Sequence, residues 1–247
     1  MCQRQYPLSV MLTLSGRPGQ GGHTLLELLV ALAISFVLLV WLADVMTRTL
    51  ADYATTLQRN LLNQEVQSAL AMLDRELRRA GGWGNATSSA KSRPVNPFAL
   101  SPYRINTGNK TGESGYSCIV YSYDLNGNGL LEQSATDERF AFRLNQGVLE
   151  MRTAGSGSLD CNAGTWTGLT SAALLVDSLA FTLLGQCINL SQSEANCLTA
   201  APVQGDLLLR KYRVDVAMRS HLQQKPTIQR SDTLSVRVRN DSVESVP

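Results

Sequence analysis

Apolar positions in the first part of the chain follow two patterns, and each predicts a different use of one helix. From Leu25 to Ala43 every residue except Glu27 and Ser35 is apolar, so no polar face is left. The hydrocarbon core of a bilayer takes roughly 20 such residues as a helix, and the run therefore predicts a membrane span. From Leu50 the pattern thins to a stripe of Leu50, Ala54, Leu57 and Leu61, then Leu62, Val66, Leu70, Leu73 and Leu77, at spacings mostly of three and four. That stripe predicts an amphipathic helix with one face to be covered. Neither Pro nor Gly interrupts residues 23–80, and Gly81-Gly82 supplies a stop, so both patterns belong to one rod of roughly 85–90 Å.

Beyond the rod, residues 83–115 are rich in Ser, Asn, Gly, Thr and Pro and read as a long connection. Period-two and β-branched segments then predict strands at Tyr116–Tyr123, Arg139–Asn145, Val148–Thr153, Leu174–Leu184, Leu207–Met218 and Thr233–Val238, with a tight hairpin at Asn145-Gln146-Gly147. Val214, Val216 and Met218 alternate with Asp215, Ala217 and Arg219, as in a strand with one wet face. The expected fold class is α+β: an antiparallel sheet laid over the C-terminal half of a long N-terminal helix, whose first half spans the membrane.

Glu27 does not fit a plain membrane span. A carboxylate inside a bilayer costs on the order of 2.5–3.5 kcal/mol even on lenient insertion scales, and residues 23–43 contain no Lys, Arg or second acid to offset it. A cut between Gly22 and His23 would create an α-amino group four residues from Glu27, and the same group on any neighbouring copy. A basic leader ending in Gly, an acid at the fifth position of the product and an immediate apolar helix, Thr24-Leu25-Leu26-Glu27-Leu28-Leu29-Val30-Ala31, resemble the class III signal of type IV prepilins and pseudopilins. The resemblance implies cleavage at Gly22–His23 by a prepilin peptidase, N-methylation of His23, a pilin fold, and assembly through Glu27 paired with a neighbour's terminal amine. His23 departs from the family's usual Phe. A secretory signal would place its cleavage site after the apolar run, whereas the Gly-rich segment Gly16–Gly22 precedes it.

The resulting organisation is a leader at residues 1–22, a transmembrane half-helix at 23–43, a periplasmic amphipathic half at 44–82 and a β-rich head at 83–247. Loss of the leader removes Arg4 and Arg17 and no acid, leaving 20 basic against 20 acidic residues, which argues against nucleic acid as a bulk electrostatic partner. Those leader arginines, set against Asp44 and Asp52 beyond the span with Arg48 partly offsetting them, orient the N-terminus to the cytoplasm. The head is then periplasmic, on an inner-membrane anchor.

With Cys2 in the leader, Cys118, Cys161, Cys187 and Cys197 form an even set in an oxidising compartment. Three pairings are open; local spacing favours Cys187 with Cys197, which leaves Cys118 with Cys161. A zinc site is the rival, against which stand the lack of a Cys-x-x-Cys pair and the single head histidine, His221. Asp124-Leu125-Asn126-Gly127-Asn128-Gly129 satisfies the first half of a calcium loop, with Asp124, Asn126, Asn128, the Leu130 carbonyl and Glu132 as candidate ligands. The twelfth position, where a bidentate Glu belongs, is Ala135. An Asn-Gly turn is the competing reading.

Arg75, Arg78 and Arg79, with Asp74 and Glu76, make either a docking patch for an acidic partner or a solvated face complementing the helix C-terminus. The stretch Asp74-Arg75-Glu76-Leu77-Arg78-Arg79-Ala80-Gly81-Gly82-Trp83-Gly84 resembles the helix end of the PilW family of minor pilins, and more loosely that of the J-type pseudopilin of type II secretion. No catalytic constellation stands out, and His221 alone would have to serve any triad. The resemblance implies a non-enzymatic minor pilin in a priming or tip complex, with other minor pilins, the major pilin and a tip adhesin as partners. A type II minor pseudopilin and a membrane-anchored receptor or adhesin are the alternatives.

Overall fold

In a computed structural model, residues 24–84, 96–132, 138–154, 159–192, 195–197 and 199–246 are described. The chain divides into two units, Met1–Tyr53 and Ala54–Pro247. Helix α1 (Leu25–Leu77) begins in the first. There its large apolar side chains from Leu25 to Leu42 are exposed, and the segment is long and apolar enough to cross a membrane. Asp44 and Arg48, one helical turn apart, pair at 3.0 Å just past the apolar run.

In the second unit α1 carries the stripe that nucleates the core. Leu62, Val66, Ala69, Leu70, Leu73 and Leu77 are buried, whereas Leu57 and Leu61, also placed on the stripe by their spacing, are exposed. Two antiparallel sheets cover the stripe where a single sheet was expected. The first is a meander in chain order: β1 (Asn106–Gly108), β2 (Cys118–Ser122), β3 (Arg139–Asn145), β4 (Val148–Ala154) and β5 (Thr165–Gly168). The second holds β6 (Leu174–Asn189), β7 (Ala195–Asn196), β8 (Leu207–Leu222), β9 (Lys225–Arg237) and β10 (Ser242–Ser245).

The second sheet is organised by β6 and β8, which pair over their full length. β8 offers its other edge first to β10, opposite Leu207–Arg210, and then to β9 from Arg213 onward. Both β6 and β8 run past the ends their alternation predicted, Leu184 and Met218. The extensions, Gly185–Asn189 and Arg219–Leu222, lack a clean apolar alternation and are held as strand by their partners. β1, β5, β7 and β10, at two to four residues each, are too short to show a period, and β1 lies inside the stretch expected to be irregular.

Inner faces supply Ile119, Tyr121, Phe140, Phe142, Leu144 and Leu149 from the first sheet, and Leu179, Phe181, Val214, Val216, Met218 and Val236 from the second. The hairpin between β3 and β4 turns on two residues, Gln146 at φ 49° and Gly147 at φ 79°, the left-handed pair that a two-residue loop requires to match strand twist. The outer face of the first sheet is covered as well. Cys118, Val120 and Ala141 pack there with Cys161 and Trp166.

Candidate functional site

Helix α1 starts with a reciprocal cap. The Glu27 amide donates to Thr24 Oγ1 at 3.3 Å, and the Thr24 amide donates to Glu27 Oε2 at 3.0 Å. This S/T-x-x-E capping box satisfies two of the amides a helix start leaves bare, and its acid favours the positive end of the helix dipole. The Thr24-Leu25-Leu26-Glu27 spacing carries this cap in the sequence itself, a local signal beside the acid's unmatched charge. The carboxylate is thereby turned toward the chain's N-terminal side. Gly22 and His23, the expected cleavage and methylation positions, lie outside the described residues.

At the other end, α1 closes at Leu77, ahead of the Gly81-Gly82 stop, by tightening: the Arg79 amide bonds the Glu76 carbonyl at 3.0 Å and the Ala80 amide the Leu77 carbonyl at 3.3 Å. Asn240 Nδ2 donates to the Ala80 carbonyl at 2.9 Å, and Asn96 Nδ2 to the Gly81 carbonyl at 2.7 Å. The charged cluster of this turn splits between surface and core. Arg78 grips Asp74 at 2.8 Å, which raises its pKa further above the usual arginine value. Glu76 is buried; Arg75 and Arg79 reach it at 3.3 and 3.4 Å, and the Tyr123 hydroxyl donates to it at 3.3 Å.

Arg79 also lies over the Tyr123 ring, 4.1 Å from its centroid, so one guanidinium serves both carboxylate and ring. Burial, then the Glu76 charge, pushes the Tyr123 phenol up to about 12. Burial also holds the Tyr121 phenol well above its ordinary value, and its hydroxyl has no hydrogen-bond partner among the described residues.

The loop Asp124–Glu132 is wired to itself. The Asp124 carboxylate accepts the amides of Gly84 at 2.9 Å, Gly127 at 2.6 Å and Gly129 at 2.8 Å. Asn126 Oδ1 takes the Asn128 amide at 2.9 Å, and Asn128 Oδ1 the Leu130 amide at 2.7 Å. Both Asn side-chain amides donate to Glu132 at 2.8 Å. The side-chain oxygens of Asp124, Asn126, Asn128 and Glu132 therefore face N–H groups of the loop and of Gly84, as in a chain of Asx turns. No group of three or more His, Cys, Asp or Glu gathers to hold a metal among the described residues.

The loop is tied to the helix end through Trp83 Nε1, which donates to the Gly129 carbonyl at 2.9 Å. Gly84 has to be glycine here, because a Cβ would stand 2.5 Å from the Gly127 carbonyl oxygen. Glu138 accepts the amides of Leu125 at 2.9 Å and Glu132 at 3.0 Å from beneath. Its burial raises the pKa, an effect those two amides partly offset.

The cysteines are joined as Cys118–Cys161 and Cys187–Cys197. The first bridge clips the segment before β5 onto the outer face of the first sheet. There Arg143 bonds the Cys161 carbonyl at 2.8 Å and Glu150 at 2.7 Å, with its guanidinium 3.9 Å from the Trp166 ring centroid. The second bridge closes the loop after β6, whose neighbour is held by the buried Asp206. That carboxylate accepts Asn189 Nδ2 at 2.6 Å, Gln192 Nε2 at 3.0 Å and the Val203 amide at 2.9 Å. His221 sits apart, with Nδ1 2.8 Å from Asp177.

An exposed apolar helix opened by a Thr–Glu cap, and a head of antiparallel sheets packed on the end of the same helix, define a pilin-like structural protein with a membrane anchor. Consistent with that class, residues 17–43 match the prokaryotic N-terminal methylation motif. Residues 55–238 match the family Prepilin peptidase-dependent protein B, and the chain belongs to that family. A curated protein of that name from Escherichia coli (strain K12) is 26% identical over 161 residues, covering 64% of this chain and 74% of the relative. No solved structure matches.

Proposed function

We propose that the chain is a minor pilin of a type IV pilus, cut by a prepilin peptidase between Gly22 and His23, methylated on His23, and incorporated with other minor pilins in a priming or tip complex. The observation that carries this reading is the Thr24–Glu27 cap. It turns the Glu27 carboxylate back onto the Thr24 amide, one residue along the chain from the amine that a cut after Gly22 would create. In a low-dielectric setting the acid would have a cation to pair with, on its own subunit or on the one it docks against. The PilW-like stretch Asp74–Gly84 supports the pilus over the type II secretion machine. Its Trp83 and Gly84 contact the 124–129 loop, so the stretch has a structural use in the head. The head then faces the periplasm and, after assembly, the cell surface, where the major pilin and a tip adhesin would be its neighbours.

Intact mass of the membrane protein from a host with prepilin peptidase is expected to start at His23, one methyl heavier. Retention of the leader would remove this reading in favour of a plain anchored receptor. Co-purification with pilus rather than secretion components separates the pilin from the pseudopilin. Glu27→Ala is expected to leave cleavage intact and to abolish recovery with partner pilins. Calcium at Asp124, Asn126, Asn128, Leu130 and Glu132 is supported by the motif alone, and binding would require the Asp124, Asn126, Asn128 and Glu132 oxygens to leave or share their amide donors.

A further inference from the structure

We propose that the outer face of the second sheet docks an acidic segment of a partner protein, seated in a hollow walled by Leu184, Gln186, Lys211, Arg213 and Arg237. These five side chains occupy outward positions on β6, β8 and β9, around an open depression of about 470 Å3 whose floor is the backbone at Gly185 and Tyr212. Register makes the site electrostatically unusual. Arg213 stands directly opposite Arg237 across the β8–β9 pair, and Lys211 follows two residues away on the same face. Like charges facing each other across strands destabilise a sheet. Their clustering is the kind of local cost that a binding surface explains and that packing does not.

The hollow's own carboxylates lie at its margins. Asp215 reaches Arg213 at 3.3 Å and Asp241 reaches Arg237 at 3.5 Å, both through exposed pairs that contribute little. Lys211 has no carboxylate partner among the described residues. Two guanidiniums flanking one hollow suit a carboxylate held by both, because each presents a planar fork of donors. Leu184, 41% exposed beside them, adds an apolar wall, so the favoured guest combines carboxylates with one aliphatic side chain.

The outward positions between the hollow and Arg219 tell against a polyanion such as nucleic acid. Ala180, Thr182, Ala217, Thr233 and Ser235 are neutral, and none of them offers an aromatic platform. Arg219, bonded to Gln229 at 2.7 Å, is separated from the hollow by these positions, so the cluster of three basic residues matches a local acidic patch on a protein.

The test uses the full chain in a neutral detergent and a fluorescent peptide of four glutamates around one leucine. Saturable, salt-sensitive binding is expected. Lys211→Ala, Arg213→Ala and Arg237→Ala should each weaken it about tenfold, the size of one lost charge-assisted contact. Arg219→Ala, on the same face outside the hollow, should leave it unchanged, as should melting curves that show all four variants folded. Absence of saturable binding, equal binding of the peptide with glutamine for glutamate, indifference to all three hollow substitutions, or tighter binding of a single-stranded oligonucleotide of equal charge would each overturn the proposal.

Discussion

Tyr123 concentrates several demands on one side chain: it stacks on Phe140, supports Arg79 and donates to the buried Glu76. Because its phenol is raised from 10.0 to about 12, the folded state favours the neutral form. That contribution is full below pH 10 and is lost as pH rises through about 12, when a phenolate would face Glu76. Tyr123→Phe is expected to show a smaller fall in melting temperature between pH 10 and 12 than the parent; an equal fall would assign the alkaline loss to other groups. Asp124 is a second such residue, since one carboxylate satisfies three backbone amides. Asp124→Ala should destabilise the head by about 1–3 kcal/mol in chelator, chiefly through the amide of buried Gly129, since Gly84 and Gly127 are exposed to water. Melts with and without millimolar calcium test the proposed ion, which should raise the parent's midpoint and leave that of Asp124→Ala unmoved.

Among elements, α1 contributes through burial, and burial differs along its stripe. Leu73 is fully buried between the sheets whereas Leu57 is half exposed. Leu73→Ala should cost about 2–5 kcal/mol in chemical denaturation, while Leu57→Ala should stay within about 0.5 kcal/mol. The disulfides differ in loop length, 43 residues for Cys118–Cys161 against 10 for Cys187–Cys197. In the chain-entropy account the longer loop restricts the unfolded state more, and its sulfurs also pack under Trp166. Replacing the first pair by Ser should therefore lower the melting temperature more than replacing the second. The reverse order would show that the β6–β8 end governs stability.

For the whole molecule, charge is nearly balanced in sum and uneven in place. Residues 111–138 hold five acids and no Lys or Arg, whereas residues 207–239 hold eight basic residues against two acids. Balance limits long-range attraction, so association should depend on short-range fit and weaken with salt only modestly. Recovery of the chain with partner pilins is expected to survive about 0.5 M salt if helix packing dominates, and to be lost with Glu27→Ala at any salt. The apolar length of the first half of α1 and its match to the N-terminal methylation motif fit a membrane anchor. In that setting its exposed leucines are a surface for lipid, or for other helices of the same kind.

The helix, its apolar first half, the strands β2, β3, β4, β6 and β8, and the last part of β9 from Thr233 were legible in linear order, because each rests on a local period or a short motif; the start of β9, from Lys225, was not. The β3 ends, Arg139 and Asn145, follow directly from alternation and a turn. Division of the strands into two sheets was not legible, since strand partners are set by contacts between distant segments. Pairing fixes β6 and β8 as sixteen-residue strands and lets two-residue β7 exist. Nor did the stripe reveal where its cover begins, because Leu61 and Leu62 differ only in which way they face once the sheets are laid down. The motif at Asp124 named oxygens at alternate positions, yet folding turned them to amides brought in from Gly84, Gly127 and Gly129. Periodicity and spacing are properties of neighbours along the chain; the hollow at Lys211, Arg213 and Arg237 and the Glu76–Tyr123–Arg79 contacts join residues far apart in it, and only packing brings such groups together.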